Sequence, residues 1–288
     1  MHPIAALVLC SLLVVHGIRK KSLSSSGAMA ASVVGFITFV GGRNANLLFA
    51  GVLLGFYLLG SRATKYKQDR KKELEEDFQE GGQRTARQVL ANGLTGTVAC
   101  ALHYYLIPLE SSAVCYGQVD DANSMWHTIL VLVYLGHYAC CCGDTWASEI
   151  GILSTETPIL ITTLKRVPRG TNGGVSSLGL AASVAGGFVI GIIAAVGLPL
   201  GPTCGGMSQR LQIVFLGALG GLLGSLIDSL LGATLQKSEY NTATAKIAAD
   251  GRRLRIGEKP TQLQHISGIA ILDNHQVNFI SSLMTGVL

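Results

Sequence analysis

Twenty of the 22 Lys and Arg residues in this chain can be gathered into four short stretches that alternate with long apolar runs. That alternation limits the fold more than any other feature. An apolar run of roughly 20 residues suits a membrane-spanning helix, because no other open structure satisfies its own backbone in lipid. The candidate spans are Pro3–Ile18, Gly27–Gly41, Asn46–Ser61, Val89–Pro108, Trp126–Cys142, Val175–Leu200, Leu211–Leu231 and Ile271–Leu288. The second and third are short, and the eighth carries Asp273, Asn274 and Asn278, so these three are the weakest. Only 14% of the residues are charged, where a soluble domain has about a quarter.

Charge gives the orientation. With the N-terminus outside, the cytosolic loops are 19–26, 62–88, 143–174 and 232–270, with three, eight, three and six bases. The outer loops keep only Arg43 and Arg210, as the positive-inside rule requires. The first apolar run lacks a basic leader and a small-residue cleavage site and is followed by Arg19-Lys20-Lys21. It reads as an uncleaved anchor. The expected fold is all-α: a polytopic helical bundle of seven or eight spans, one membrane domain over residues 1–288. The stretch Lys65–Glu80 mixes both signs and is expected to be a solvated helix broken at Gly81-Gly82. Residues 237–259 are polar and expected in part to be mobile. The net charge of +5 lies in loops beside apolar runs, forming no stripe with interleaved aromatics, which argues against nucleic acid.

Cys140-Cys141-Cys142 are consecutive, which is not a zinc spacing, and read as small apolar residues near a helix end. Cys115 and Cys204 both fall in outer loops and could pair in an oxidising lumen.

Four stretches place acids and amides at cytosolic helix ends, and an intramembrane carboxylate points to function. In Gly143-Asp144-Thr145-Trp146-Ala147-Ser148-Glu149, Asp144 and Ser148 share a helix face, while Glu149 points about 140° away. Asp144 is either a magnesium ligand or the N-cap of a new cytosolic helix. The turn Lys165-Arg166-Val167-Pro168-Arg169-Gly170-Thr171-Asn172-Gly173-Gly174 precedes a helix. It suits a phosphate held by backbone amides and a helix dipole, or else is a plain positive loop; it lacks the Walker order. Gly220, Gly224, Asp228, Gly232 and Gln236 recur at i,i+4, a stripe open to a ligand or another backbone, with Ser229 beside it. Asp228 is therefore either a site residue or a polar group hydrogen-bonded between helices. The fourth stretch holds His265, Asp273, Asn274 and Asn278; His265 is either a phosphate ligand or a loop histidine. Lys65, Arg84 and Asn92 join the candidates by position near membrane ends.

Three acids, a basic Gly-rich turn and several amides on one membrane face suit metal-assisted phosphoryl transfer. Asp144, Asp228 and Asp273 would hold Mg2+ and nucleotide phosphates, the turn a further phosphate, and an apolar groove between Gly-rich helices a lipid tail.

The motifs KKSLSSSGAMA (20–30), SRATK (61–65), EGGQR (80–84) with Asn92, GDTWASEIG (143–151), ITTLKRVPRGTNGG (161–174), GSLIDSLLGATLQ (224–236) and ILDNHQVN (271–278) resemble the transmembrane protein 19 family. That integral-membrane family includes the plant and cyanobacterial phytyl-phosphate kinases. The resemblance implies phosphorylation of an isoprenyl monophosphate to the diphosphate by a nucleoside triphosphate, CTP among them. GD-x-x-AS, at Asp144 and Ser148, is more distantly similar to CTP-using polyprenol kinases. D-S-x-x-G, at Asp228, Ser229 and Gly232, and H-x-x-G-x-x-x-LD, at His265, Gly268 and Asp273, are similar to phosphatidate cytidylyltransferases. The expected function is thus a Mg2+-dependent kinase of an isoprenyl phosphate in the endoplasmic reticulum. The alternatives are a cytidylyltransferase-like enzyme and a non-enzymatic transporter of an anionic lipid.

Overall fold

The computed structural model describes residues 1–42, 46–74, 82–108, 115–199, 204, 206–248 and 260–288. Arg43 and residues 249–259 of the polar segment lie outside these, as do residues 75–80 of the mixed-charge stretch and Gly81.

Ten helices carry the described chain: α1 Pro3–Arg19, α2 Ser25–Gly41, α3 Asn46–Lys65, α4 Gln68–Leu74, α5 Ala86–Ala91, α6 Leu94–Leu106, α7 Ala122–Gly151, α8 Ser177–Gly197, α9 Met207–Leu235 and α10 Asn274–Val287. Four stretches are long and apolar enough to cross a membrane: Leu47–Lys65, Ala122–Gly151, Ser177–Gly197 and Met207–Leu235. Pro3–Arg19 and Ser25–Gly41 are shorter apolar helices.

The expected span Val89–Pro108 is two helices. Asn92 caps the end of α5 and Gly93 the start of α6. The carbonyl freed at Asn92 is taken up by α7: His137 Nε2 lies 3.1 Å from it and Cys141 Sγ donates at 3.7 Å. Broken backbone at membrane depth is tolerated where neighbouring helices supply such partners. α10 has 14 residues, about 21 Å at 1.5 Å per residue, short of the ~20 residues a full crossing needs.

The fold is not purely α-helical. Ile159–Leu160 (β1) pairs antiparallel with Gly174–Val175 (β2). Ser238–Asn241 (β3) lies between Lys246–Ile247 (β4) and Leu263–Ser267 (β5). These strands have two to five residues, too short for alternation to be read from sequence.

The core lies between α3, α6, α7, α8 and α9, around Phe49, Tyr134, Tyr138, Cys142, Ile190 and Ile213. Tyr134 donates its hydroxyl to the Phe49 carbonyl at 2.6 Å, and their rings meet edge to face. α7, α8 and α9 meet through glycine. A β-carbon on Gly143 would lie 2.7 Å from the Gly221 Cα and 2.9 Å from the Ser183 carbonyl. Small residues of this kind let membrane helices approach backbone to backbone.

Cys115 and Cys204 are disulfide-bonded, with Cα atoms 5.1 Å apart. They stand just before α7 and α9, so both helices leave the same end of the bundle. Asp144 and Asp228 lie 23 and 21 residues into those helices from Asp121 and Met207, about 34 and 32 Å away at 1.5 Å per residue. Both carboxylates therefore reach the end opposite the disulfide. Arg210, an expected outer-loop base, lies in the first turn of α9 at the disulfide end, where its guanidinium donates to the Ala195 and Leu198 carbonyls at the end of α8.

Candidate functional site

α7 does not stop at the cysteine triplet. Cys140, Cys141 and Cys142 are buried in mid-helix, and the helix runs on through Asp144 to Gly151. Asp144 is therefore no N-cap; its side chain leaves the helix body and faces α9. Ser225 on α9 donates to Asp144 Oδ1 at 3.5 Å. One turn further along, Asp228 accepts from Ser281 of α10 at 2.9 Å. Neither aspartate has a cationic partner among the described residues.

These carboxylates form part of the wall of a cavity of about 600 Å³. Of the sequence candidates, Arg84, Asn92, Asp144, Ser148, Glu149, Gly170, Thr171, Asn172, Gly173, Gly174, Asp228, Ser229, Gln236, Asn274 and Asn278 line it. Four do not. Asp273 caps α10, its carboxylate accepting from Gln276 N at 2.9 Å while its backbone N donates to Gln276 Oε1 at 2.8 Å. His265 lies on β5 with Nε2 2.8 Å from the Gly268 carbonyl. Lys65 Nζ donates to the Lys20 carbonyl at 2.7 Å. Lys165 is exposed on the loop between β1 and β2.

The basic turn is placed by the β1–β2 pair, which closes residues 161–173 into a loop against α9. Gly173 adopts φ +76°, and a β-carbon there would collide with Ala233 and the Ser229 carbonyl. The glycine stripe of α9 is thus filled by neighbouring segments: Gly224 meets the side chain and Cα of Cys140 on α7, and Gly232 meets Asn172 and Gly173. Most amides of the turn are spoken for. Thr171 N donates to the Pro168 carbonyl, Asn172 N to Ser238 Oγ and Gly174 N to the Thr171 carbonyl. The expected amide cradle for phosphate is therefore largely closed by internal bonds. The positive end of α8 takes its place: Ser176 caps that helix, and Ser176 and Gly179 both line the cavity.

Arg84 is the more buried of the two arginines that line the cavity, 9% exposed. Its backbone bridges to the Ser22–Ser24 segment, with Arg84 N bonded to the Ser22 carbonyl and Ser24 N to the Arg84 carbonyl. Its guanidinium donates to Ser61 Oγ at 2.9 Å and lies 5.9 Å from the ring centres of Phe56 and Tyr57. Burial pulls its pKa below the ordinary value, against the opposite pull of Tyr57 and Glu149; an arginine stays charged regardless.

Glu149 is committed elsewhere. Lys71 Nζ reaches its Oε2 at 2.6 Å and also donates to the Ala63 and Thr64 carbonyls at the end of α3. Lys71 is 1% exposed, so α4 is not a fully solvated helix but a latch between α3 and α7.

Sequence reasoning passed over Ser225, Ser281, Gln88 and Glu156. Of these, Ser225, Gln88 and Glu156 line the cavity, as does Arg169 of the basic turn, while Ser281 holds Asp228. Ser225 sits three residues before Asp228, Ser281 three after Asn278 and Gln88 four before Asn92; helical spacing from the chosen residues would have found them. Glu156 accepts from Ser177 at 2.6 Å, and Arg169 donates to the Thr155 carbonyl at 2.9 Å.

The donor set fits magnesium. That ion is held by one or two carboxylates together with phosphates and water rather than by an all-protein cage. Asp144 and Asp228 supply the two carboxylates; among the described residues no group of three or more His, Cys, Asp or Glu converges.

A family model described as integral membrane protein DUF92 matches residues 8–286. Protein PGR of Arabidopsis thaliana is 38% identical over 99% of this chain and 94% of its own length. An uncharacterised membrane protein of Methanocaldococcus jannaschii is 26% identical over 99% of this chain and 91% of its own. Protein VTE6, chloroplastic, of Arabidopsis thaliana is 28% identical over 75% of this chain and 57% of its own. No solved structure matches.

Proposed function

Because this chain belongs to the DUF92 integral membrane family, we propose that it is an integral-membrane phosphotransferase acting on an isoprenyl monophosphate. The donor is CTP or another nucleoside triphosphate, and the cavity faces the cytosol. The observation that carries this reading is that Asp144 and Asp228, near one end of α7 and α9, line the same cavity as Arg84 and the start of α8. Carboxylates for a metal and positive groups for phosphates are the parts that phosphoryl transfer requires.

Asp144 and Asp228 would hold magnesium, which when bound neutralises charge on the phosphates. Ser225 and Ser281 fix the two carboxylates. Arg84 and the α8 dipole orient phosphate oxygens. An oxygen of the acceptor phosphate attacks the γ-phosphorus; the bond from that phosphorus to the β–γ bridging oxygen breaks, and nucleoside diphosphate leaves. The acceptor is already an anion, so no general base is assigned. Asp273 and His265, which cap α10 and bond within β5's turn, have no part in it.

The disulfide supports the orientation. It lies at the end away from the cavity, and disulfides persist on the lumenal or extracellular side. With the 20 bases of the inner loops, this favours a cytosolic cavity; the membrane we assign is that of the endoplasmic reticulum.

The test is purified protein with magnesium, CTP or ATP and a panel of prenyl monophosphates. Release of nucleoside diphosphate with prenyl diphosphate is the expected result. Release of inorganic pyrophosphate instead would make it a cytidylyltransferase. The helix break at Asn92–Gly93, beside the cavity, favours a transporter as second reading; saturable uptake into liposomes without turnover would establish that.

A further inference from the structure

Beside the polar cavity lies a second, narrow one of about 90 Å³, walled by α1, α2, α3 and α5. Its lining is apolar, including Leu13, Val34, Phe39, Leu54 and Val89. Three polar residues, Arg84, Gln88 and Asn92, are walls of both cavities. The polar and apolar spaces therefore meet at the Arg84 guanidinium.

That guanidinium is under-partnered for its burial. It carries five N–H donors. The hydrogen bond it makes is to Ser61 Oγ, and no carboxylate lies within ion-pair distance among the described residues. A buried charge calls for a counter-charge, and an anion in the cavity would supply one. The surroundings keep the head in place. A β-carbon on Gly60 would lie 2.9 Å from Nη2, and one on Gly27 would overlap the Arg84 carbonyl.

We propose that the α1–α2–α3–α5 groove holds the hydrocarbon chain of a single-chain lipid monophosphate, with the Arg84 guanidinium on its phosphate. This rests on the lipid-phosphate reading above but relocates the tail. The Gly-rich faces of α8 and α9, expected from sequence to form the groove, are closed by backbone contacts. The acceptor enters from the α1–α3 side and presents its phosphate to the cavity that Asp144 and Asp228 also line.

The experiment is photolabelling of the full chain in detergent with a twenty-carbon prenyl monophosphate bearing a diazirine at the chain end. Adducts on α1, α2 or α3, competed by unlabelled prenyl monophosphate about tenfold better than by the prenol, are expected. Arg84→Gln should abolish that preference for phosphate, and Arg84→Lys should keep part of it. Val34→Trp, or Leu13→Trp should the first fail to fold, should raise the KM ratio of twenty-carbon to five-carbon acceptor about tenfold. Adducts confined to α7–α9, equal competition by prenol, or an unchanged KM ratio overturns the groove. Competed labelling on α1–α3 without turnover of any acceptor would sink the kinase reading and leave the groove standing.

Discussion

Ser281 on α10 donates its hydroxyl to Asp228 on α9 at 2.9 Å, tying a helix near the end of the chain to an acid in the middle of another. Ser225 does the same for Asp144 from the neighbouring turn of α9. Each carboxylate is oriented by one hydroxyl and keeps lone pairs for a further ligand. Asp144→Asn and Asp228→Asn should each abolish turnover while leaving the melting transition in place. Ser281→Ala and Ser225→Ala, which remove only the orienting bond, should lower magnesium affinity or activity roughly 10- to 100-fold. Steady-state kinetics against magnesium concentration reads both; full activity in the two Asn variants would remove the aspartates from the mechanism.

The Lys71–Glu149 pair predicts a stability effect with a signature. Lys71→Ala leaves Glu149 without its cation and the end of α3 without its cap, at a cost of about 3 kcal/mol. Lys71→Met with Glu149→Leu removes both charges and should recover most of that loss. Thermal melts in detergent over the four proteins of the cycle give the coupling energy; additivity would mean that the two side chains do not interact.

Gly143 and Gly221 should tolerate no side chain. Gly221→Ala places a methyl group 2.5 Å from the Ser183 carbonyl and 2.8 Å from the Gly187 Cα. Backbone must shift, at about 1–3 kcal/mol, and α9 must move away from α8. Activity should fall with it, because Asp228 rides on α9 two turns further along. An unchanged melting temperature in Gly221→Ala would contradict the close crossing.

Sidedness can be measured directly. After reduction, Cys204, the less buried of the disulfide pair, should react with a membrane-impermeant maleimide from one side of sealed vesicles. A cysteine at exposed Lys165 should react from the other. Labelling of both from one side would invalidate the orientation.

At the disulfide end, Asp121 caps α7, accepting from Ser124 N and Oγ and from Asn123 N. The Ser124 backbone bond, first among these, lowers its pKa below the ordinary carboxylate value. Its folded pKa is thus below its unfolded one. The cap's contribution is complete above the unfolded value and is lost as pH falls through the folded one. In the acid range the melting temperature should therefore fall less steeply in Asp121→Asn than in the native chain.

By itself the sequence determined that this is a multi-helix membrane protein, and it picked out Asp144, Asp228 and the 170–174 turn as candidates. Those conclusions rest on local quantities: the length of apolar runs, the placing of charge and the cost of a carboxylate among apolar residues. Contacts between distant segments were decided by tertiary structure alone. Asp273 and Asp144 look alike in sequence, each an acid at the edge of an apolar run, yet one ends in a capping box and the other faces a cavity. Asn92–Gly93 breaks an apolar run because His137, 45 residues away, is there to meet the freed carbonyl. The glycines of α9 signalled a close approach, but not that neighbouring segments would fill it and leave the apolar groove to α1, α2 and α3. Burial and hydrogen-bond satisfaction depend on which helices become neighbours, and spacing along one chain does not contain that.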